Sequence, residues 1–455
     1  MELYHYRSIK SAISEISNSS FKFSGVSELN DPLEGYVDIY WQGDEPAWEG
    51  LFRNYICGLY MSVNIYRLAG DENQIAKSAV PVDIHAWDRL PIAENLMRVS
   101  DEFLTDSLVL ALISLLSAQN IAVSKGHLNL LLTIVHLNAF NICMANMQHN
   151  GLIGLDEYTL ERPAQCTKTF ADVVNLASKQ PEKSDKFFEA IEAISGTIRD
   201  CVNSMLLKYA GDPQRSKWSR IQLDFPTIYV NQAPKILYPN GFIVCFSTAP
   251  DSSVMWGNYA DSHKGVCLIY ETGEKKTLSI ESGAVIKTNG VSLKYRDETL
   301  HEVNYHEDRV KRNFFTSLGR LCMPQIHSWL VSADGKASQL LFEYVKDSWR
   351  DSYWEDNFKV YHTKLPEWEY EREYRLFITD TFYDYNRGEK DYVFLKFAPE
   401  QLKGVIWGIN TTLSDKAKIY SAIESAGRKP NTLDFYQSQY NTESNEIVVR
   451  RVNQF

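Results

Sequence analysis

The apolar and polar positions of the chain change their period several times. Residues 2–8 (ELYHYRS) alternate as a strand does; Ile9, Ile13 and Ile16 then fall on one helical stripe, and FKFS at 21–24 returns to strand spacing. Asn30-Asp31-Pro32 reads as a turn, because Pro fixes φ and an Asn or Asp side chain can bond the backbone that follows. From Glu49 to Tyr209 the spacing is helical, most clearly where Phe187, Ile191, Ile194, Ile198 and Met205 recur. Beyond Gly241 come short segments rich in β-branched and aromatic residues: GFIVCFS, KGVCLIYE, VSLKYR, EYEREYRLFIT, DYVFLKF, GVIWGIN and EIVVRRV. Helical patterns over 306–322, 338–350 and 413–425 interrupt them. The pattern predicts an α+β fold: a mixed, mostly antiparallel sheet core formed by the N- and C-terminal segments, with a large inserted helical domain. The expected boundaries are 1–48 for the N-terminal part of the core, 49–235 for the helical insert and 236–455 for the main α+β domain that carries the site.

Between Asp106 and Asp156 the only Asp, Glu, Lys or Arg is Lys125, with LVLALISLLSA before it and LNLLLTIVHLNAFNICMANM after. Two membrane spans would fit these lengths. The second run, however, carries Asn129, Asn138, Asn141, Asn146 and His136, each costly in hydrocarbon, and it lacks the charged flanks that orient a span. The expectation is a buried helical hairpin over 107–155, with a partner protein or a second copy of the chain as its candidate cover and no membrane.

Composition narrows the classes further. A chain of 455 residues has room for two or three domains, and 44% hydrophobic with 23% charged residues is ordinary for a globular protein. The 26 Tyr, 21 Phe and 10 Trp suit pockets for flat ligands as well as cores. A net charge of -11 argues against wholesale binding to nucleic acid backbones. The seven Cys (57, 143, 166, 201, 245, 267, 322) are scattered and form no CxxC pair, the pattern of free thiols in a reducing compartment. The N-terminus MELYHYRSIK has no cationic stretch followed by an apolar one, so it does not read as a signal peptide and a cytoplasmic location is expected.

The strongest chemical constellation is EYEREYRLF at 369–377. On a strand, Glu371, Glu373 and Arg375 share one face, and Tyr370, Tyr374, Leu376 and Ile378 the other. Two adjacent carboxylates repel and tend to raise a pKa unless a cation or substrate group lies between them, so the pair is a candidate for acid-base work or for stabilising a sugar cation. A solvated face with Arg375 as ion-pair partner is the bland alternative. The first strand puts Leu3, His5 and Arg7 on one face and Tyr4, Tyr6 and Ser8 on the other. Arg7 can grip phosphate or carboxylate, or serve as a surface ion-pair partner. Ser247 and Thr248 end a very apolar strand, where they can orient a ligand or cap the helix beginning near Ser252.

Sharper motifs fall away. HEVNYH at 301–306 is one residue too long for the metalloprotease spacing, and Pro324 would break the helix needed to present Arg320 and His327 together. No zinc site is expected, and there is no GxGxxG, P-loop or GxSxG motif.

Taken together, LYHYRS at 3–8, LNDPLEG at 29–35, VCFS at 244–247, MWGNYADSHKGVCL at 255–268, WEYEREYRL at 368–376 and GVIWG at 404–408 resemble a bacterial family known only as domain of unknown function 2971. That family carries no settled activity. A second resemblance is to ADP-ribosyltransferases, in which a first-strand Arg or His, a middle Ser or Tyr and a late Glu-x-Glu strand surround NAD. His5 or Arg7, Ser247 with Thr248, and Glu371-x-Glu373 stand in that order, although the middle segment reads Ser-Thr-Ala rather than Ser-Thr-Ser. The resemblance implies that His5 or Arg7 contacts NAD and that Ser247 and Thr248 shape the nicotinamide pocket. Glu373 would stabilise the cationic sugar transition state, and Glu371 would position or activate the acceptor. Trp256 and Tyr259, with Met255, would supply the apolar wall, with Arg375 beside the cofactor. It also implies a conditional toxin or phage-defence role.

Two other classes stay open. A ligand sensor or partner-binding protein would use the YADSHKG and EREYR segments without turnover. A metal-dependent nuclease would use Glu371, Glu373 and Asp261.

Overall fold

The computed structural model describes residues 1–455 apart from 32, 83–91, 155–163, 180–183, 209–217, 274, 288–289, 307–309, 381–389 and 453–455. The chain forms two compact units. The first comprises 1–37, 239–310 and 355–455; the second comprises 38–238 and 311–354. Pro32, Tyr209 and the side chain of Met205, used in the sequence reading, lie outside the described residues.

The first unit is the expected α+β core. Its ten-stranded sheet runs Tyr392–Lys396, Ser20–Ser24, Gly241–Ser247, Glu2–Arg7, Val266–Glu271, Leu402–Trp407, Asp434–Asn441 and Glu446–Arg451. Glu373–Thr379 and His301–Glu302 branch off this path, and all of these pairs are antiparallel except Leu402–Trp407 with Asp434–Asn441. Ile9–Asn18, capped by the Ser8 hydroxyl at Ser11 N–H, buries Ala12 and Ile16 in a core with Leu3, Phe21, Phe246, Leu268, Leu376, Ile419 and Ile423. The opposite sheet face buries Tyr6, Trp256, Cys267, Ile269 and Ile406.

The Gly241–Ser247 strand is where this sheet forks. One of its edges pairs along its whole length with Glu373–Thr379, from Glu373↔Ser247 to Thr379↔Gly241. The other edge is shared by two strands, each meeting it at one register position: the first strand at Tyr4↔Ser247 and the second at Ser24↔Ile243. Between those two points the strands diverge.

The second unit is the helical insert, with helices from Glu45–Ala69 to Ser219–Gln232 and, after the return of the chain, Met323–Leu330. A small sheet sets Asp38–Trp41 between Val123–Ser124 and Lys311–Asn313. The apolar hairpin is present: Ser107–Ala118 is capped by the Asp106 carboxylate, and Lys125–His149 by the Ser124 hydroxyl. Lys125–His149 is the one helix among the described residues long and apolar enough to cross a membrane, and 67% of its apolar window is buried inside the structure, as in a core helix. Several of its polar side chains have partners. Tyr55 Oη donates to His136 Nδ1 at 2.8 Å and His136 Nε2 to Ile221 O at 2.9 Å, Asn138 donates to Asp106 at 2.9 Å, and Asn146 accepts from Tyr60 at 3.2 Å.

Three expectations need correction. Residues 311–354 join the helical unit rather than the main α+β domain, because Phe314 stacks on Trp41 at 5.4 Å and Phe315 meets Trp48 edge-on at 5.4 Å. The helix expected over 306–322 is instead a strand, Lys311–Asn313, and a 3₁₀ turn, Phe314–Thr316, closed by Asn313 Oδ1 accepting from Phe315 N–H; 307–309 lie outside the described residues. The third concerns Glu371, which is not on a strand. Pro366 opens a 3₁₀ turn over Pro366–Glu371, and Arg372 closes it in the left-handed region at φ 45° before the strand starts at Glu373. By contrast, Leu413–Ser425 forms as expected.

A left-handed backbone costs an ordinary residue on the order of 1 kcal/mol, and Arg372 is exposed. Arg372→Gly should therefore leave urea-unfolding stability equal or raise it by up to about 1 kcal/mol, and β-branched Arg372→Val should lower it by about 1–2 kcal/mol. The reverse order of the two variants would contradict the turn.

Candidate functional site

A cavity of about 270 Å³ opens at the fork of the sheet. Residues 4–7 of the first strand, Lys22 and Ser24 of the second, and 243–247 of the central strand line it, together with Glu34, Tyr259, Lys364, Glu371 and Glu373. His5, Arg7, Ser247, Tyr259, Glu371 and Glu373 from the sequence reading thus meet around one cavity.

They do not meet on one sheet face. Tyr4, Ser247 and Glu373 stand opposite each other across three strands and so share a face. His5 and Arg7 alternate onto the other face, where both reach Glu15: His5 Nδ1 lies 2.9 Å from Oε1 and Arg7 Nε 2.9 Å from Oε2. Tyr270 Oη donates to the same Oε1 at 2.7 Å. The His5 ring is held between Phe246 and Phe21, with centroids at 4.9 Å and 5.9 Å. Burial, then Arg7, pull His5 below its usual pKa against Glu15. Burial pushes Glu15 up, but His5, Arg7 and the hydrogen bonds outweigh it and hold it at about 2.

The carboxylate side is an ion cluster. Glu371, Glu373 and Arg375 are 2%, 5% and 0% exposed, so the solvated strand face is replaced by a buried one. Arg375 Nη2 holds Glu373 Oε2 at 2.7 Å and also pairs with Glu34, while Nη1 donates to Tyr361 O at 2.5 Å. Lys364 Nζ lies 2.6 Å from Glu371 Oε2 and 3.6 Å from both Glu373 Oε2 and Glu34 Oε2, over the Trp368 ring at 4.6 Å. Lys364 therefore bridges Glu371 and Glu373 although they share no strand. Tyr259 Oη donates to Glu371 Oε1 at 2.5 Å, and Tyr305 Oη accepts from Glu373 N–H at 2.9 Å.

The titrations follow. Burial raises Glu371, the Glu373 charge adds to it, and Lys364 opposes both; the carboxyl ends above its usual range. Burial also pushes Glu373 up, but Arg375 and Lys364 overcome it and keep the carboxyl low. Burial leaves Glu34 raised against the pull of Arg375 and Lys364. Lys364 is pushed down by burial and drawn up more strongly by its three carboxylates.

The remaining expected residues hold the frame around the ion cluster. Ser247 Oγ donates to Glu371 O at 2.7 Å and accepts from Ala249 N–H at 3.0 Å; Thr248 N–H donates to Arg372 O at 3.1 Å. These bonds pin the corner that carries Glu371, and the helix cap is Ser252. Trp256 is fully buried, donates to Pro250 O at 2.9 Å and meets Tyr6 edge-on at 5.1 Å; Met255 and Tyr259 form the wall. In the YADSHKG segment, Asp261, Ser262 and His263 make a left-handed turn with φ of 49°, 53° and 67°. Asp261 is exposed there and does not line the cavity. Among the described residues no group of three or more His, Cys, Asp or Glu could hold a metal ion.

Sequence reasoning missed Lys364, Glu34, Glu15 and Tyr305. Glu34 lies in the quoted LNDPLEG motif, where Asp31 Oδ1 accepts from Leu33 N–H at 2.9 Å and Gly35 takes φ 71°, a turn that marks a fixed position. Nothing in the residue pattern singled out the other three.

Fold and site together define an α+β protein with a buried carboxylate and cation cluster at a fork in its sheet. Residues 255–376 match the model of a family described as "Protein of unknown function (DUF2971)", the family that the motifs above resemble. The matched segment holds Tyr259, Tyr305, Lys364, Glu371, Glu373 and Arg375. No curated protein and no solved structure matches the chain.

Because Glu15 has a folded pKa below its unfolded one, the stability it contributes is fully present above the unfolded value and is lost as pH falls toward about 2. That contribution is on the order of 3 kcal/mol. Glu15→Gln should lose about that much at neutral pH and show a flatter decline between about pH 5 and pH 2. Parallel stability curves for variant and wild type across acid pH would refute the coupling.

Proposed function

We propose that the chain cleaves the nicotinamide–ribose bond of NAD, as an ADP-ribosyltransferase-like enzyme. One observation carries this reading: three buried carboxylates, Glu34, Glu371 and Glu373, are set against two buried cations, Lys364 and Arg375. The carboxyl groups outnumber the cations in a water-poor place, and a ribosyl cation forming beside the Glu373 carboxylate would be strongly stabilised. NAD also brings the permanent positive charge of its nicotinamide ring to the same spot.

Glu373, held ionised by Arg375, faces the developing cation. Glu371, with its raised pKa and its Tyr259 hydrogen bond, takes the acceptor's proton. The C1′–N bond breaks with its electron pair going to the nicotinamide nitrogen, and the acceptor closes on C1′. Arg7 and His5, which pair with Glu15 and line the other side of the cavity, would in this reading face the phosphates. Ser247 and Thr248 act through the corner they hold.

A specific observation favours a second reading, a ligand sensor. The cavity's cations are already paired, Arg7 with Glu15, Lys22 with Glu28 and Lys364 with its carboxylates, so a ligand could be held without turnover.

Nicotinamide release from NAD by the full-length chain separates the two. The wild type should release it; Glu373→Gln and Glu371→Gln should each slow release by about 10²-fold or more. Removing one partner of a buried pair can cost about 3–5 kcal/mol, so circular dichroism must show both variants folded, and Glu371→Gln, which leaves the Arg375 pair intact, serves as the second reading. Release at the wild-type rate from a folded Glu371→Gln variant, or binding of NAD without any release by the wild type, would sink the enzyme.

A further inference from the structure

A second, smaller cavity of about 40 Å³ adjoins the ion cluster, lined by Asp31, Leu33, Glu34, His306, Thr363 and Lys364 among others. Its lining shares two residues with the main cavity, Glu34 and Lys364. Their ion pair, 3.6 Å between Glu34 Oε2 and Lys364 Nζ, is therefore common to the walls of both cavities.

We propose that the acceptor of the reaction is water, and that it reaches the reacting centre from this second cavity past Glu34 and Lys364. The inference rests on the NAD-cleaving reading above and names its second substrate. Size is the first argument. A space of about 40 Å³ holds about one to three waters, and neither a protein side chain with its backbone nor a nucleotide. NAD seated in the main cavity, whose volume is about 270 Å³, would occupy that side, which leaves the second cavity as the approach for the acceptor. Chemistry is the second argument. A water needs two to four polar partners, and Asp31, Glu34, His306, Thr363 and Lys364 offer them along the wall.

The step balances without any further reagent. The C1′–N bond breaks and its electrons leave with nicotinamide; the water oxygen forms the C1′–O bond. One water proton passes to the carboxylate of the shared wall or to Glu371, and from there to solvent. The products are nicotinamide, ADP-ribose and a proton. Glu34 suits the transfer because burial raises its carboxyl.

The test blocks the small cavity and leaves the cluster alone. Leu33 lines it and is 41% exposed, so Leu33→Trp can cover it without disturbing a core; Val360→Phe fills it from the buried side. With the full-length chain and NAD, wild type should give nicotinamide and free ADP-ribose in equal amounts and no ADP-ribose attached to protein or nucleic acid. Both variants should release nicotinamide about tenfold more slowly while binding NAD within about twofold of wild type. Wild-type rates in both variants would overturn the route, and should Val360→Phe not fold, Leu33→Trp decides alone. Nicotinamide release with ADP-ribose transferred to a macromolecule would overturn water as acceptor. Absence of any release by the wild type is a different result, since it removes the NAD-cleaving reading itself.

Discussion

Arg375 has no exposure to solvent, and burying a guanidinium, which keeps its charge, is tolerable only because carboxylates are brought to it. Glu373 comes from two residues earlier on the same strand, and Glu34 from the far end of the sequence. Once those two are committed, Lys364 must sit close enough to share them, and Glu371 then completes the ring around its ammonium. The corner held by Ser247, the left-handed Arg372 and the Pro366 turn all serve to deliver Glu371 to that position. The cavity floor is thus a by-product of neutralising one buried cation.

Much of the fold was legible because alternation and helical stripes report burial directly. ELYHYRS, FKFS, GFIVCFS and the Leu413–Ser425 helix formed where their periods placed them. Residues 311–354 were misassigned because a few aromatic residues in irregular backbone have no period; where Phe314 and Phe315 go depends on Trp41 and Trp48, far away in sequence.

The site was legible in its anions and obscure in its cations. Two glutamates one residue apart make a visible pattern, whereas Lys364 is a single charge in HTKLPEW and acquires meaning only from the three carboxylates around it. Alternation also told which residues of the first strand share a face, but which face of a neighbouring strand they join depends on register. Tyr4↔Ser247 puts His5 and Arg7 across the sheet from Glu373, and the fork lets both sides line one cavity. The Glu371 carboxylate reached its expected neighbour by a route that the strand pattern concealed, through a 3₁₀ turn in place of an extended chain.

The ring of charges draws Glu34 from the start of the chain and Lys364, Glu371, Glu373 and Arg375 from its last quarter. Contacts of such long sequence separation form late, after loop closure has been paid for in entropy. During synthesis the first strands emerge well before the residues that answer them, since translation proceeds at about 5–20 residues per second. The nascent chain therefore carries half a site throughout most of its elongation. The ring of charges can close only once Arg375 has left the ribosome, long after Glu34 has emerged.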